Sequence, residues 1–288
     1  MDTKTDTPKN GDSPSDKAET AFPKGVDSKQ KVQIGENGLS VDLIWSKEAH
    51  YPLPMIVYFF SGTFVSSDSK RGLPLCGYLA KRGYMALNVT LRPLSDNMTV
   101  EEELNDILSV FRWISENSNE YGLDPKSIYV TGTFYGGFAA LWSAVLFRTL
   151  RIKDLFNVPD IDIRITGVGL FCGYSDPKSF LNRLSRPFPK AFRKIAHDNP
   201  LLASCLRLWD NHDIRTMPPI FQVCAVKSPT YPDALKLEEL LKTNAVTHEL
   251  LLYSSGDETF SIFPELHPES SYSTRAVSKM LNLFQMHQ

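Results

Sequence analysis

Residues 121–141 read YGLDPKSIYVTGTFYGGFAAL, and how the chain folds turns on this stretch. The Gly-Leu-Asp-Pro segment marks a turn, and residues 127–130 then read as a short buried strand. Phe138, Leu141 and Val145 repeat at helical spacing. Between strand and helix lies Gly132-Thr133-Phe134-Tyr135-Gly136-Gly137. A strand, a turn flanked by glycines and a helix form the setting of a nucleophile elbow, where the glycines let the backbone bend sharply and lift one side chain over the sheet edge. Here the lifted position holds Phe134. A phenyl ring has no lone pair for attack and no proton to give to a base.

Outward from that stretch the chain alternates. Residues 31–34 and 41–45, joined by Gly35-Glu36-Asn37-Gly38, predict a hairpin. Residues 55–60 form a continuous apolar run suited to a central parallel strand. A helix is predicted over 73–81 and a strand over 84–89. Thr99 and Glu102 make a capping box for a helix reaching about residue 117, with Leu104, Ile107, Leu108, Phe111 and Ile114 as its buried stripe. Further strands are read at 165–172, 220–226 and 248–253, and helices at 233–242 and 271–285. This alternation predicts an α/β class fold, a mostly parallel sheet covered by helices on both faces, with binding at the carboxyl ends of the strands. Residues 174–215, rich in Pro, Phe, Arg and Asp, break the rhythm and read as a small cap insertion. Residues 1–30 are polar and contain Pro, so they read as a disordered tail ahead of a single domain spanning 31–288.

Composition narrows the function. Apolar residues make up 42% and charged residues 22% of the 288, ample for one large core. A net charge of −2 gives no electrostatic footprint for nucleic acid or an anionic membrane. No apolar run is long enough to span a bilayer, and the N-terminus lacks the apolar core of a signal peptide, so the cytoplasm is the expected compartment. The four cysteines, Cys76, Cys172, Cys205 and Cys224, have no metal-ligand spacing and read as free thiols. No phosphate-binding loop or paired-histidine motif occurs, so no cofactor or metal is expected.

The blocks in this order resemble the α/β-hydrolases, closest to the acetyl-esterase and hormone-sensitive-lipase-like branch. That family shows y-G-x-D-P-x-x-I-x-x-x-G-x-S-A-G-G where this chain has Tyr121-Gly122-Leu123-Asp124-Pro125, Ile128 and Gly132 to Gly137. Gly83-Tyr84, Arg92-Pro93-Leu94, Asp106, Trp113 and Pro218-Pro219-Ile220 match as well, which fixes the register from about residue 31 onward. The resemblance implies a Ser-Asp-His triad and an oxyanion loop, H-G-G-G-F, that offers backbone N–H groups to a developing negative charge. In this register the nucleophile position holds Phe134, the acid position Ser228 and the base position Glu258. The oxyanion loop is Phe60-Ser61-Gly62-Thr63-Phe64, with one of three glycines kept. Triad members act as a unit, and losing the nucleophile alone costs on the order of a million-fold in a comparable hydrolase.

The implied function is an esterase/lipase-like protein without the triad, non-hydrolytic, which keeps a cleft for a small acyl or apolar ligand lined by Phe60, Ser61, Gly62, Thr63, Phe134, Tyr135 and Glu258. Two alternatives stay open: an ester hydrolase with unorthodox residues, and an interaction scaffold whose pocket Phe134 fills. Asp176, Asp257, His197, His212, His248 and His267 are the substitutes to weigh for acid or base, each more often a turn, surface or structural residue. The side chains of Thr133 and Tyr135 are expected to point away from the cleft, Tyr135 offering it only a backbone N–H, and oligomeric state is not legible.

Overall fold

A computed structural model describes residues 24–35, 38–60, 69–92, 100–175, 212–254 and 270–287. Eight strands form one sheet in the order β1-β2-β4-β3-β5-β6-β7-β8. They are β1 Val26–Ile34, β2 Leu39–Ser46, β3 Leu53–Phe60, β4 Met85–Thr90, β5 Leu123–Thr133, β6 Ile165–Phe171, β7 Ile220–Ala225 and β8 His248–Tyr253. β2 pairs antiparallel with both β1 and β4, and every pairing from β4 to β8 is parallel. The hairpin and the parallel sheet are therefore as the apolar periodicity predicts.

The helices among the described residues are α1 Leu73–Ala80, α2 Val100–Tyr121, α3 Tyr135–Arg148, α4 Leu150–Phe156, α5 Tyr231–Thr243 and α6 Ser271–Met286. α1 and α6 cover one face, where Leu79, Tyr129, Phe221, Met280 and Phe284 are buried together. α2, α3 and α4 cover the other, around Phe59, Val130, Phe111, Leu141 and Trp142. β3 and β5 lie between these layers, which is why they read as unbroken apolar runs instead of alternating ones. α3 packs in the centre and is buried on nearly every side, so it too lacks a polar stripe.

The first strand corrects the domain boundary. β1 starts at Val26, ahead of residue 31, and pairs Val26 with Ser46 and Asp27 with Trp45. Its residues 26–31 are mostly exposed and polar, so the strand is held by backbone pairing and carries no apolar signal. A bulge separates Lys29 from Val32, and the Lys31 N–H donates to buried Asp42 at 2.8 Å. Residues 1–23, and 176–211 of the expected cap, lie outside the described residues.

Candidate functional site

Phe134 is the one residue between β5 and α3. Its φ is 45° and its ψ −109°. Bulky side chains rarely enter this region, and holding one there costs about 1–3 kcal/mol. Three backbone hydrogen bonds keep it in place. The Phe134 N–H donates to the Phe171 carbonyl at 3.1 Å, and the Phe134 carbonyl accepts from Phe138 at 3.2 Å and Tyr174 at 3.4 Å.

Two glycines make the turn possible by close approach. A Cβ on Gly132 would overlap the Gly136 carbonyl and lie 2.8 Å from the Gly137 nitrogen. A Cβ on Gly137 would lie 2.6 Å from the Gly173 Cα. Any side chain at these points would drive α3 off the sheet, because a close-packed interior has no slack to absorb it. The strain at Phe134 is thus the result of α3 being seated directly against the ends of β5 and β6.

The Phe134 ring is half-buried, touches both apolar layers, and stacks on Tyr174 with centroids 6.2 Å apart and planes 29° apart. Its neighbours turn inward, as expected. Thr133 is buried with its hydroxyl 3.2 Å from that of Tyr58, and Tyr135 is buried in the layer under α2. Phe60, also buried, ends β3.

Ser228 lies three residues past β7, buried at 4% exposure. Its N–H donates to the Ala225 carbonyl at 2.9 Å. Its hydroxyl is 2.8 Å from that of Thr230 and accepts the Thr230 N–H at 3.3 Å. The hydroxyl therefore closes its own turn. β5 and β7 flank β6 and run parallel to it, so Phe134 and Ser228 come to the same carboxyl edge of the sheet. Glu258, Ser61, Gly62 and Thr63 lie outside the described residues, as do Asp176, Asp257, His197 and His267. His248 opens β8 opposite Ile220, at the other end of the sheet, with its Nδ1 2.7 Å from the Val246 carbonyl. His212 begins a short 3-10 turn, His212–Thr216.

The structure adds two buried polar groups that motif reading passes over. Asp233 on α5 accepts the Ser175 N–H at 2.5 Å and the Ser175 hydroxyl at 2.9 Å. It thereby anchors the segment after β6 that carries Tyr174 against Phe134. Glu103, in the first turn of α2, is fully buried and faces the Tyr135 hydroxyl. Neither of its carboxyl oxygens makes a well-formed hydrogen bond among the described residues. Burial pushes its pKa up to about 8, against the opposing pull of the Tyr135 hydroxyl. A signal for it existed: Glu103 lies four residues before Ile107, on the buried stripe of α2. Nearby, the Arg92 guanidinium clasps Asp106 with bonds of 2.6 and 2.8 Å.

At the turn itself the available chemistry is apolar and π contact from an aromatic pair. Among the described residues no cluster of three or more His, Cys, Asp or Glu side chains is placed to hold a metal ion. None of the helices there is long and apolar enough to cross a membrane.

The strand order, the parallel crossovers and the strained residue between β5 and α3 define an α/β-hydrolase-fold protein. The family model BD-FAE matches residues 41–185, half of the chain, and the chain belongs to that family. It is similar to versiconal hemiacetal acetate esterase of Dothistroma septosporum, 28% identical over 245 residues that cover 81% of this chain and 74% of the relative. Among solved structures it resembles esterase B of Lactobacillus rhamnosis HN001, at a TM-score of 0.79 and 20% identity over 92% of this chain and 87% of the other. A bacterial heroin esterase superposes at a TM-score of 0.71 with 18% identity, covering 94% of this chain and 86% of the other. The two structures share the fold. The resemblance to the acetyl-esterase and hormone-sensitive-lipase-like branch is thereby borne out.

Proposed function

We propose that this protein is a non-hydrolytic member of its esterase-like family, which keeps the cleft at the carboxyl edge of the sheet to bind a small acyl or apolar ligand. The observation that carries the reading is Phe134 at the single strained residue between β5 and α3. In this register it takes the position of the nucleophile, Ser228 that of the acid and Glu258 that of the base. Ser228 supports the assignment, since its hydroxyl is committed to Thr230 and carries no charge to orient an imidazole. The half-buried Phe134 ring, backed by Tyr174, supplies an apolar aromatic surface suited to an acyl chain or ring.

A second reading, ester hydrolysis by unorthodox residues, is favoured by the relatives' names, which are those of esterases. One experiment separates the two: p-nitrophenyl acetate turnover together with labelling by a fluorophosphonate probe. No turnover above buffer and no labelling are expected of the unmodified chain or of Phe134→Ser, because a serine there still needs a base. Turnover that survives Phe134→Ala and disappears on Glu258→Gln would overturn the proposal in favour of a carboxylate mechanism.

A further inference from the structure

Beneath the Ser228 turn lies a pair of thiols that the proposed binding role does not use. Cys172 follows β6 directly, and its N–H donates to the Val223 carbonyl at 2.8 Å, extending the ladder that pairs Phe171 with Val223. Cys172 is thus in register with Cys224, the next residue of β7. Both side chains are buried in the same layer, between the sheet and α1 and α6, and both are free thiols.

Adjoining strands set such partners about 4.8 Å apart, inside the Cα separation of about 4.4–6.8 Å that a disulfide spans. Cys172 has also left the extended conformation, with φ at 47°, so its side chain is not held square to the pleat. Around the pair, the Cys224 Sγ lies 3.4 Å from the Thr230 hydroxyl, which in turn bonds Ser228.

We propose that Cys172 and Cys224 are a reversible oxidation site, at which hydrogen peroxide joins them into one disulfide across the ends of β6 and β7. Cys224, whose Sγ is set beside the Thr230 hydroxyl at 3.4 Å, takes the part of the attacking group. Hydrogen bonding from Cys172, helped by Thr230 and Ser228, pulls its thiol below the ordinary value against the opposing effect of burial, whereas burial pushes that of Cys172 up. The Cys224 sulfur attacks one peroxide oxygen, the O–O bond breaks, and a sulfenic acid and one water result. The Cys172 sulfur then attacks the sulfenic sulfur, the S–O bond breaks, and a second water leaves with the thiol proton. Two thiols lose two electrons in all, and one peroxide is reduced to two waters.

The bridge would tie the Ser228 turn to the segment Gly173-Tyr174-Ser175, whose Tyr174 lies on Phe134 and whose Ser175 is held by Asp233. Oxidation therefore tightens the backbone that carries Tyr174 against Phe134, whether or not a ligand binds there. With exposures of 1% and 0%, the two thiols are shielded from bulky oxidants.

The test uses the full chain with Cys76→Ser and Cys205→Ser, which leaves this pair alone. After brief peroxide treatment, alkylation in denaturant with N-ethylmaleimide and digestion without reductant, mass spectrometry is expected to find the 172 and 224 peptides joined. Dithiothreitol should separate them, and the oxidised form should melt about 5 °C higher than the reduced one. Should the double variant fail to fold, the same map of the unmodified chain reads the 172–224 bridge against any bridge to Cys76 or Cys205. Both cysteines recovered alkylated or as sulfinic acid from peroxide-treated folded protein, or bridged to another cysteine, would overturn the proposal.

Discussion

Replacing Glu103 by glutamine is expected to make the protein more stable, by a margin that grows as pH rises from about 4.5 to about 8. The Glu103 carboxyl is buried in the layer under α2, and its pKa is raised from the ordinary 4.5 to about 8. Burial is the main cause; Asp106 adds to it, while the Tyr135 hydroxyl and Arg92 oppose it. Each pKa unit corresponds to about 1.4 kcal/mol, so the fully ionised group destabilises the fold by up to about 5 kcal/mol, and by about 2–4 once the site relaxes or admits water.

The sign follows from proton counting. Between pH 4.5 and about 8 the native state holds a proton that the unfolded chain has released, so stability falls as pH rises through this window. Below the window both states are protonated and the penalty is absent. Above it both are ionised, and the penalty is complete and constant. Glutamine keeps the shape of the protonated acid without its titration. Urea melts of the two proteins from pH 5 to 9 should therefore nearly coincide at pH 5 and separate by about 2–4 kcal/mol at pH 8.5. Subtracting one curve from the other cancels the titration of the other carboxylates. A difference that does not change with pH, or glutamine losing stability above pH 8, would refute the reasoning.

Three further outcomes are expected. Gly132→Ala forces a Cβ into the Gly136 carbonyl, so a loss of about 3 kcal/mol or failure to fold should appear in thermal melts. Asp233→Ala removes both Ser175 bonds from a buried carboxylate, and a loss of about 2–4 kcal/mol is expected in denaturant titration, together with faster hydrogen exchange at residues 173–175. Deleting residues 1–23 should leave the melting temperature within about 2 °C, whereas deleting through Lys31 strips most of β1 from its pairing with β2 and should lower it by more than about 5 °C.

Much of this architecture is present in the sequence because its signals are local. The turn between β5 and α3 is announced by Gly132, Gly136 and Gly137 between an apolar run and a helical repeat, and the parallel strands by runs without polar alternation. That Phe134 brings no nucleophile is a matter of residue identity alone. The family blocks place it because they recur in order at fixed spacing. What the sequence withheld depends on contacts between distant segments. Asp233 finds Ser175 58 residues away only because α5 and the end of β6 meet. Glu103 faces Tyr135 because α2 packs beside α3; its place on the buried stripe is legible in sequence, its partner is not. Cys172 and Cys224 read as two scattered core thiols until β6 and β7 are seen to adjoin in register. The first half of β1 escaped notice for the complementary reason: it is exposed and stabilised by backbone hydrogen bonds to β2, which leave no mark in side-chain polarity. Periodicity encodes which face of an element is buried; which buried groups share that interior, and what losing water does to their charges, is decided only when the layers close.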